Sequence, residues 1–136
     1  MSVHQLLSAA VQCAPHAIAI RHAGATVSWS EFADRVARRA AKLRESGLKP
    51  SARVAVLAAN VPEHVEAAFS ILWAGMVLVP LNTRLSASEQ GFILEHSECD
   101  LLLCDRRNAD RAMRLASAIG VRGEQLAPIT EWSGPT

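Results

Sequence analysis

Apolar positions recur at helical spacing near the start of the chain and later give way to short unbroken apolar runs. Val3, Leu6, Leu7, Ala10 and Val11 share one face of a helix over residues 3–13, which Pro15 stops. Two strand-length runs, 17–21 and 26–29, flank His22-Ala23-Gly24-Ala25 and predict a small hairpin. Ser28-Trp29-Ser30-Glu31 is a capping box, in which hydroxyl and carboxylate each satisfy one backbone N–H. It opens a helix to about Ser46 with Phe32, Val36, Ala40 and Leu43 on one face. The other face carries Arg35, Arg38, Arg39, Lys42 and Arg44 and reads as solvated, and Gly47 caps the end.

From residue 53 strand and helix alternate. Arg53–Ala59, Met76–Val79 and Asp100–Cys104 are apolar runs of strand length, and 125–129 is a candidate fourth. Between them, helices are expected from Pro62 to Ala74, from the second capping box (Ser86-Ala87-Ser88-Glu89) to about Ser97, and from Ala109 to Ile119. The helix at 62–74 is apolar nearly all round, which predicts burial on more than one side. Uniformly apolar strands are covered on both faces, so the expected fold is α/β: a layered, mostly parallel sheet with flanking helices and a small N-terminal hairpin. Residues 1–130 read as one subdomain, and 131–136, with its Gly-Pro, as a linker or truncated end.

Ligands of such sheets bind beyond the strands' carboxyl ends. Those positions hold Asn60, then Asn82, Thr83 and Arg84, then Asp105, Arg106 and Arg107. Neither GxGxxG nor GxxxxGK[ST] occurs, and Ser28 and Ser86 are explained as caps. Glu63 and Glu66, like Glu95 and Glu98, lie three apart on a helix, a spacing that reads as solvated surface. No catalytic residue is therefore assigned. The five histidines form no HxxxH pair, so no metal site is expected. Three cysteines (13, 99 and 104) do not make a disulfide framework, and Cys99 and Cys104 read as buried thiols.

Composition adds exclusions. A net charge of +1 and 4% aromatics point away from nucleic acid. The longest apolar stretch is interrupted by Ser70 and Gly75, too broken for a membrane span, and the N-terminus has no secretory pattern. The expectation is a cytoplasmic chain.

Nearly the whole chain, residues 3–130, resembles the N-terminal part of the adenylate-forming enzymes, the AMP-binding acyl-CoA synthetase family, with residues 28–85 carrying the motifs. Ser28-Trp29-Ser30-Glu31-Phe32 matches that family's T-Y-x-E-L helix start; Gly47-Leu48 and Arg53-Val54-Ala55 match G-L-x-x-G-D-R-V-A. Asn60 and Glu63 match N-x-x-E, and Gly75 to Leu85 match G-A-V-x-V-P-L-N-x-R-L, in the form closer to acyl- and aryl-CoA ligases than to peptide-synthetase adenylation domains. Ser51-Ala52 departs from the usual Gly-Asp. The resemblance implies an ATP-dependent acid–CoA ligase using ATP, Mg and CoA, whose phosphate loop and C-terminal domain lie outside this sequence. On that reading the chain binds no cofactor alone, is inactive alone, and has the rest of the synthetase as its partner, with a homo-oligomer as a further option. The resemblance also implies that Arg84 contacts a CoA phosphate. The alternative is a standalone interaction module that keeps the ligase-like fold and meets a partner through helix 31–46 or an apolar surface.

Overall fold

A computed structural model of the chain describes residues 2–22, 24–59 and 62–126. Asn60, the segment 131–136 and most of the candidate strand 125–129 lie outside them. Eleven elements follow one another: α1 (Val3–Cys13), β1 (Ile18–His22), β2 (Ala25–Ser28), α2 (Trp29–Glu45), β3 (Arg53–Leu57), α3 (Pro62–Trp73), β4 (Val77–Pro80), α4 (Ala87–His96), β5 (Leu101–Cys104), α5 (Ala109–Ile119) and β6 (Arg122–Gln125). The expected capping boxes are present at α2 and α4, and a third, Ser2 with Gln5, opens α1.

β1 and β2 form the antiparallel hairpin; the other four strands make a parallel sheet in the order β4-β3-β5-β6. Alternation along β3 divides the core. Val54 and Val56 join Leu101 and Leu103 under Leu43 of α2 and Ala67 and Ile71 of α3. Ala55 and Leu57 join Leu102 and Cys104 on the opposite face, under Leu94 of α4 and Ala112 and Leu115 of α5. α1 and the hairpin close a third cluster with α2 through Leu7, Val27, Phe32 and Val36. The result is the layered α/β architecture expected.

The last strand sits earlier than the sequence indicates. β6 is Arg122-Gly123-Glu124-Gln125, paired with β5 from Leu101↔Arg122 to Cys104↔Gln125. It has no apolar run because its mainly exposed place on the sheet is set by backbone pairing rather than by buried side chains.

Two polar surfaces turn inward. Arg35 and Glu66 are 3% exposed and joined across the α2–α3 interface, Arg35 Nε to Glu66 Oε2 at 2.7 Å and Nη2 to the same oxygen at 2.6 Å. Arg39 Nε reaches the other carboxylate oxygen at 2.9 Å. Neither the arginine face of α2 nor the Glu63/Glu66 pair is therefore simply solvated: Arg35 and Arg39, one turn apart, converge on one carboxylate. Arg38, by contrast, stays exposed and pairs with Asp34 at 2.9 Å. α3 is buried on more than one side, as expected: Pro62, Glu66, Ala67, Ser70 and Ile71 are buried, and Phe69 and Trp73 pack against the cluster of α1, α2 and the hairpin, while Val65 and Leu72 stay 38% and 46% exposed.

The Ser51-Ala52 departure acquires a physical meaning, because Ser51 has φ +64°. That is the left-handed region where a Cβ is strained and glycine is not. Removing the strain outweighs the extra freedom glycine gives the unfolded chain, so Ser51→Gly should stabilise by up to about 1 kcal/mol in urea unfolding. A loss of stability would show that the Ser51 side chain contributes more than its backbone strain costs.

The ion cluster generates a second expectation. Glu66→Ala leaves Arg35 buried without its carboxylate and should cost about 3–5 kcal/mol, whereas Arg35→Met combined with Glu66→Leu should recover most of that. Equal losses in the single and double variants, measured by urea unfolding, would contradict the coupling.

Candidate functional site

Parallel pairing brings the carboxyl ends of β3, β4 and β5 to one edge of the sheet. The chain leaves β3 for β4 on one side, then crosses back to β5 on the other, so the topological switch lies between β3 and β5. There Asp105, 7% exposed, is fully engaged. Its Oδ2 accepts the Ala59 N–H at 3.0 Å; its Oδ1 accepts the Asn108 N–H at 3.0 Å and Asn108 Nδ2 at 2.6 Å. Its own N–H extends the ladder to the Leu57 carbonyl at 3.4 Å. Nearby, His64 Nδ1 lies 3.3 Å from the Ala58 carbonyl. Arg106 and Arg107 are exposed on the same loop.

The loop after β4 is organised differently. Asn82 Oδ1 accepts the Arg84 N–H at 2.9 Å, an Asx turn, and the Leu85 N–H donates to the Asn82 carbonyl at 3.3 Å. Gln90 Nε2 donates to that carbonyl at 2.9 Å, and Arg111 Nη1 donates to the Leu85 carbonyl at 3.3 Å. Ser86 and Glu89 close the following cap at 3.1 Å in both directions. Hydrogen bonding from Ser86, by its backbone N–H first and its hydroxyl second, holds the Glu89 carboxyl below its ordinary range. The turn is thus explained by Asn82 and its supports. Arg84 is exposed, and among the described residues no hydrogen bond or ion pair engages its guanidinium. Sequence reasoning singled out Arg84 but missed Gln90 and Arg111, whose only signal would have been an amide at an inward position of α4.

The described residues supply little for acid–base or nucleophilic work. Cys104 stands at a strand end, yet burial, reinforced by the Asp105 charge, pushes its thiol up to about 11. Cys99 is raised likewise by burial and by Asp100. Among the described residues no group of three or more His, Cys, Asp or Glu could hold a metal ion, and no helix is long and apolar enough to cross a membrane. What the β4 corner offers is the Arg84 guanidinium on a braced loop, a group suited to a bidentate contact with a phosphate or carboxylate; Arg106 and Arg107 add exposed guanidinium groups on the β5 loop.

Comparison with known proteins now decides the family. The family model described as AMP-binding enzyme matches residues 7–132. The chain belongs to the AMP-binding enzyme family. Within that family it is 40% identical to a feruloyl-CoA synthase from Amycolatopsis over 103 residues, 76% of this chain and 21% of that protein. A peroxisomal benzoate–CoA ligase from Arabidopsis thaliana is 35% identical over 100 residues, 74% of this chain and 17% of the ligase. Among solved structures, O-succinylbenzoate coenzyme A synthetase from Bacillus subtilis in complex with AMP superposes with a TM-score of 0.78 at 28% identity, covering 88% of this chain and 30% of that one. A long-chain-fatty-acid CoA ligase from Rhodopseudomonas palustris shares the fold, with a TM-score of 0.86 over 99% of this chain and 34% of its own, at 23% identity. The chain spans about a fifth of the length of the curated relatives it matches.

The thiols of this AMP-binding family member should separate in reactivity. Cys13 is exposed whereas Cys99 and Cys104 are buried, so a disulfide reagent at pH 8 should label one thiol rapidly and all three only after denaturation. Because the folded state disfavours the Cys104 thiolate, its contribution to stability is present at neutral pH and is lost as pH rises from 9 toward 11. Rapid labelling of more than one thiol in the folded chain would overturn this assignment.

Proposed function

We propose that this chain is the N-terminal portion of an ATP-dependent acid–CoA ligase. In that reaction a carboxylate oxygen attacks the α-phosphorus of ATP, releasing pyrophosphate and leaving an acyl-adenylate. The CoA sulfur then attacks the acyl carbon, and AMP departs. The reading is carried by the β4 loop: the P-L-N-T-R-L motif carries a guanidinium that the fold does not consume, on the edge where parallel sheets receive ligands. Arg84 fits a phosphate of CoA. ATP and Mg find no such fit here, for the sequence contains neither glycine-rich phosphate motif. On this reading the chain contributes sheet and contact, and the remaining part of a cytoplasmic synthetase contributes catalysis. The acid is aromatic or aliphatic, as the feruloyl, benzoate and butyrate names of the relatives suggest.

One observation favours a second reading, that of an interaction module. Val65 and Leu72 expose an apolar stripe on α3. Under the ligase reading the rest of the synthetase covers it; under the second a separate partner or second copy does. A monomer in gel filtration counts against self-association.

The isolated chain should support no ATP–pyrophosphate exchange with ferulate, benzoate or butyrate. Grafted in place of the matched segment of the Amycolatopsis feruloyl-CoA synthase, it should retain feruloyl-CoA formation. Sustained exchange by the isolated chain would overturn its inactivity alone. A folded, soluble chimera that makes no thioester would overturn its place in the ligase.

A further inference from the structure

We propose that Gln90 and Arg111 are positioning residues that brace the 82–85 loop so that Arg84 presents its guanidinium to a phosphate-bearing ligand; this rests on the ligase reading above. Gln90 is 0% exposed, and burying a carboxamide is costly unless its hydrogen bonds are made. They are made to the loop and its support. Nε2 donates to the Asn82 carbonyl at 2.9 Å, and Oε1 receives Arg111 Nη1 at 3.5 Å. The same Arg111 nitrogen donates to the Leu85 carbonyl at 3.3 Å.

These contacts bracket Arg84. The carbonyl two residues before it is held by Gln90, the carbonyl one residue after it by Arg111, and its own N–H by Asn82 Oδ1. None of them uses the Arg84 side chain. The backbone is fixed by neighbours while the charged group stays available, an arrangement that lowers the ordering cost of binding. Arg111 also brings a second guanidinium to the residue following Arg84, which adds to the positive field there.

The test measures coenzyme A binding to the folded feruloyl-CoA synthase chimera that carries this 136-residue chain and follows amide hydrogen exchange at position 84. Arg84→Ala should weaken binding at least tenfold while leaving exchange at position 84 protected. Gln90→Leu and Arg111→Met should weaken it about three- to tenfold, the scale of one lost hydrogen bond, and speed that exchange. Arg111→Lys, which keeps a donor, should recover part of the loss. If Gln90→Leu does not fold, Arg111→Met, at a half-buried position, carries the measurement. No binding by the unsubstituted chimera overturns the ligase reading on which this inference rests; unchanged binding in Arg84→Ala overturns the phosphate contact and this inference with it. Binding lost in Arg84→Ala but unchanged in folded Gln90→Leu and Arg111→Met overturns the positioning role alone.

Discussion

Everything in this fold depends on covering both faces of β3 and β5. A parallel ladder between strands buried on both sides tolerates neither water nor an unpaired backbone group, so helices must lie above and below it. Val54, Ala55, Val56 and Leu57 are all 0% exposed, and they belong alternately to the α2/α3 side and the α4/α5 side. The ladder also continues past the strands: the Leu81 N–H donates to the Val56 carbonyl at 3.0 Å and the Asp105 N–H to the Leu57 carbonyl. The points at which the loops leave the sheet are thereby fixed.

The two covers are held differently. α4 and α5 meet the sheet through apolar contact, with Leu94, Ala112 and Leu115 against Leu57, Leu102 and Cys104. α2 and α3 combine a similar apolar layer with the buried ion cluster. Apolar surfaces slide with little penalty, whereas Arg35 and Arg39 must meet Glu66 at one axial position of α2 on α3 or leave charges buried and unpaired. The cluster thus adds a directional contact to the outer layer, which also carries α1 and the hairpin through Leu7, Val27 and Phe32.

Features determined by residues close in sequence were legible; those determined across the fold were not. The boxes Ser28–Glu31 and Ser86–Glu89 span three residues, and β3, β4 and β5 declare themselves as apolar runs. Arg35 and Glu66 are 31 residues apart, and each alone looks like a solvent-facing charge. β6 was placed too late because Leu126 and Ile129 suggested an apolar run, while the residues that pair with β5 are Arg122 to Gln125. That Ser51-Ala52 replaces Gly-Asp is legible in sequence, but only the φ of +64° at Ser51 shows what a glycine does there. At the site, Arg84 was visible through its motif. Gln90 is not legible because one buried amide on a ten-residue helix with no clear apolar face leaves no periodic trace.

The carboxyl edge finally separates two loops that sequence treats alike. In open parallel sheets the crevice at the topological switch is the usual ligand position, which here lies between β3 and β5. Yet Asp105, the ionisable group buried there, spends both oxygens on Ala59 and Asn108 and so ties the two strand ends together. At the corner beyond β4 the assignment is reversed. Neighbouring side chains satisfy the backbone, and the guanidinium of Arg84 is left over. The two loops thus differ in where a charged side chain goes: Asp105 is spent on holding backbone, whereas at Arg84 the backbone is held and the side chain takes no part in holding it.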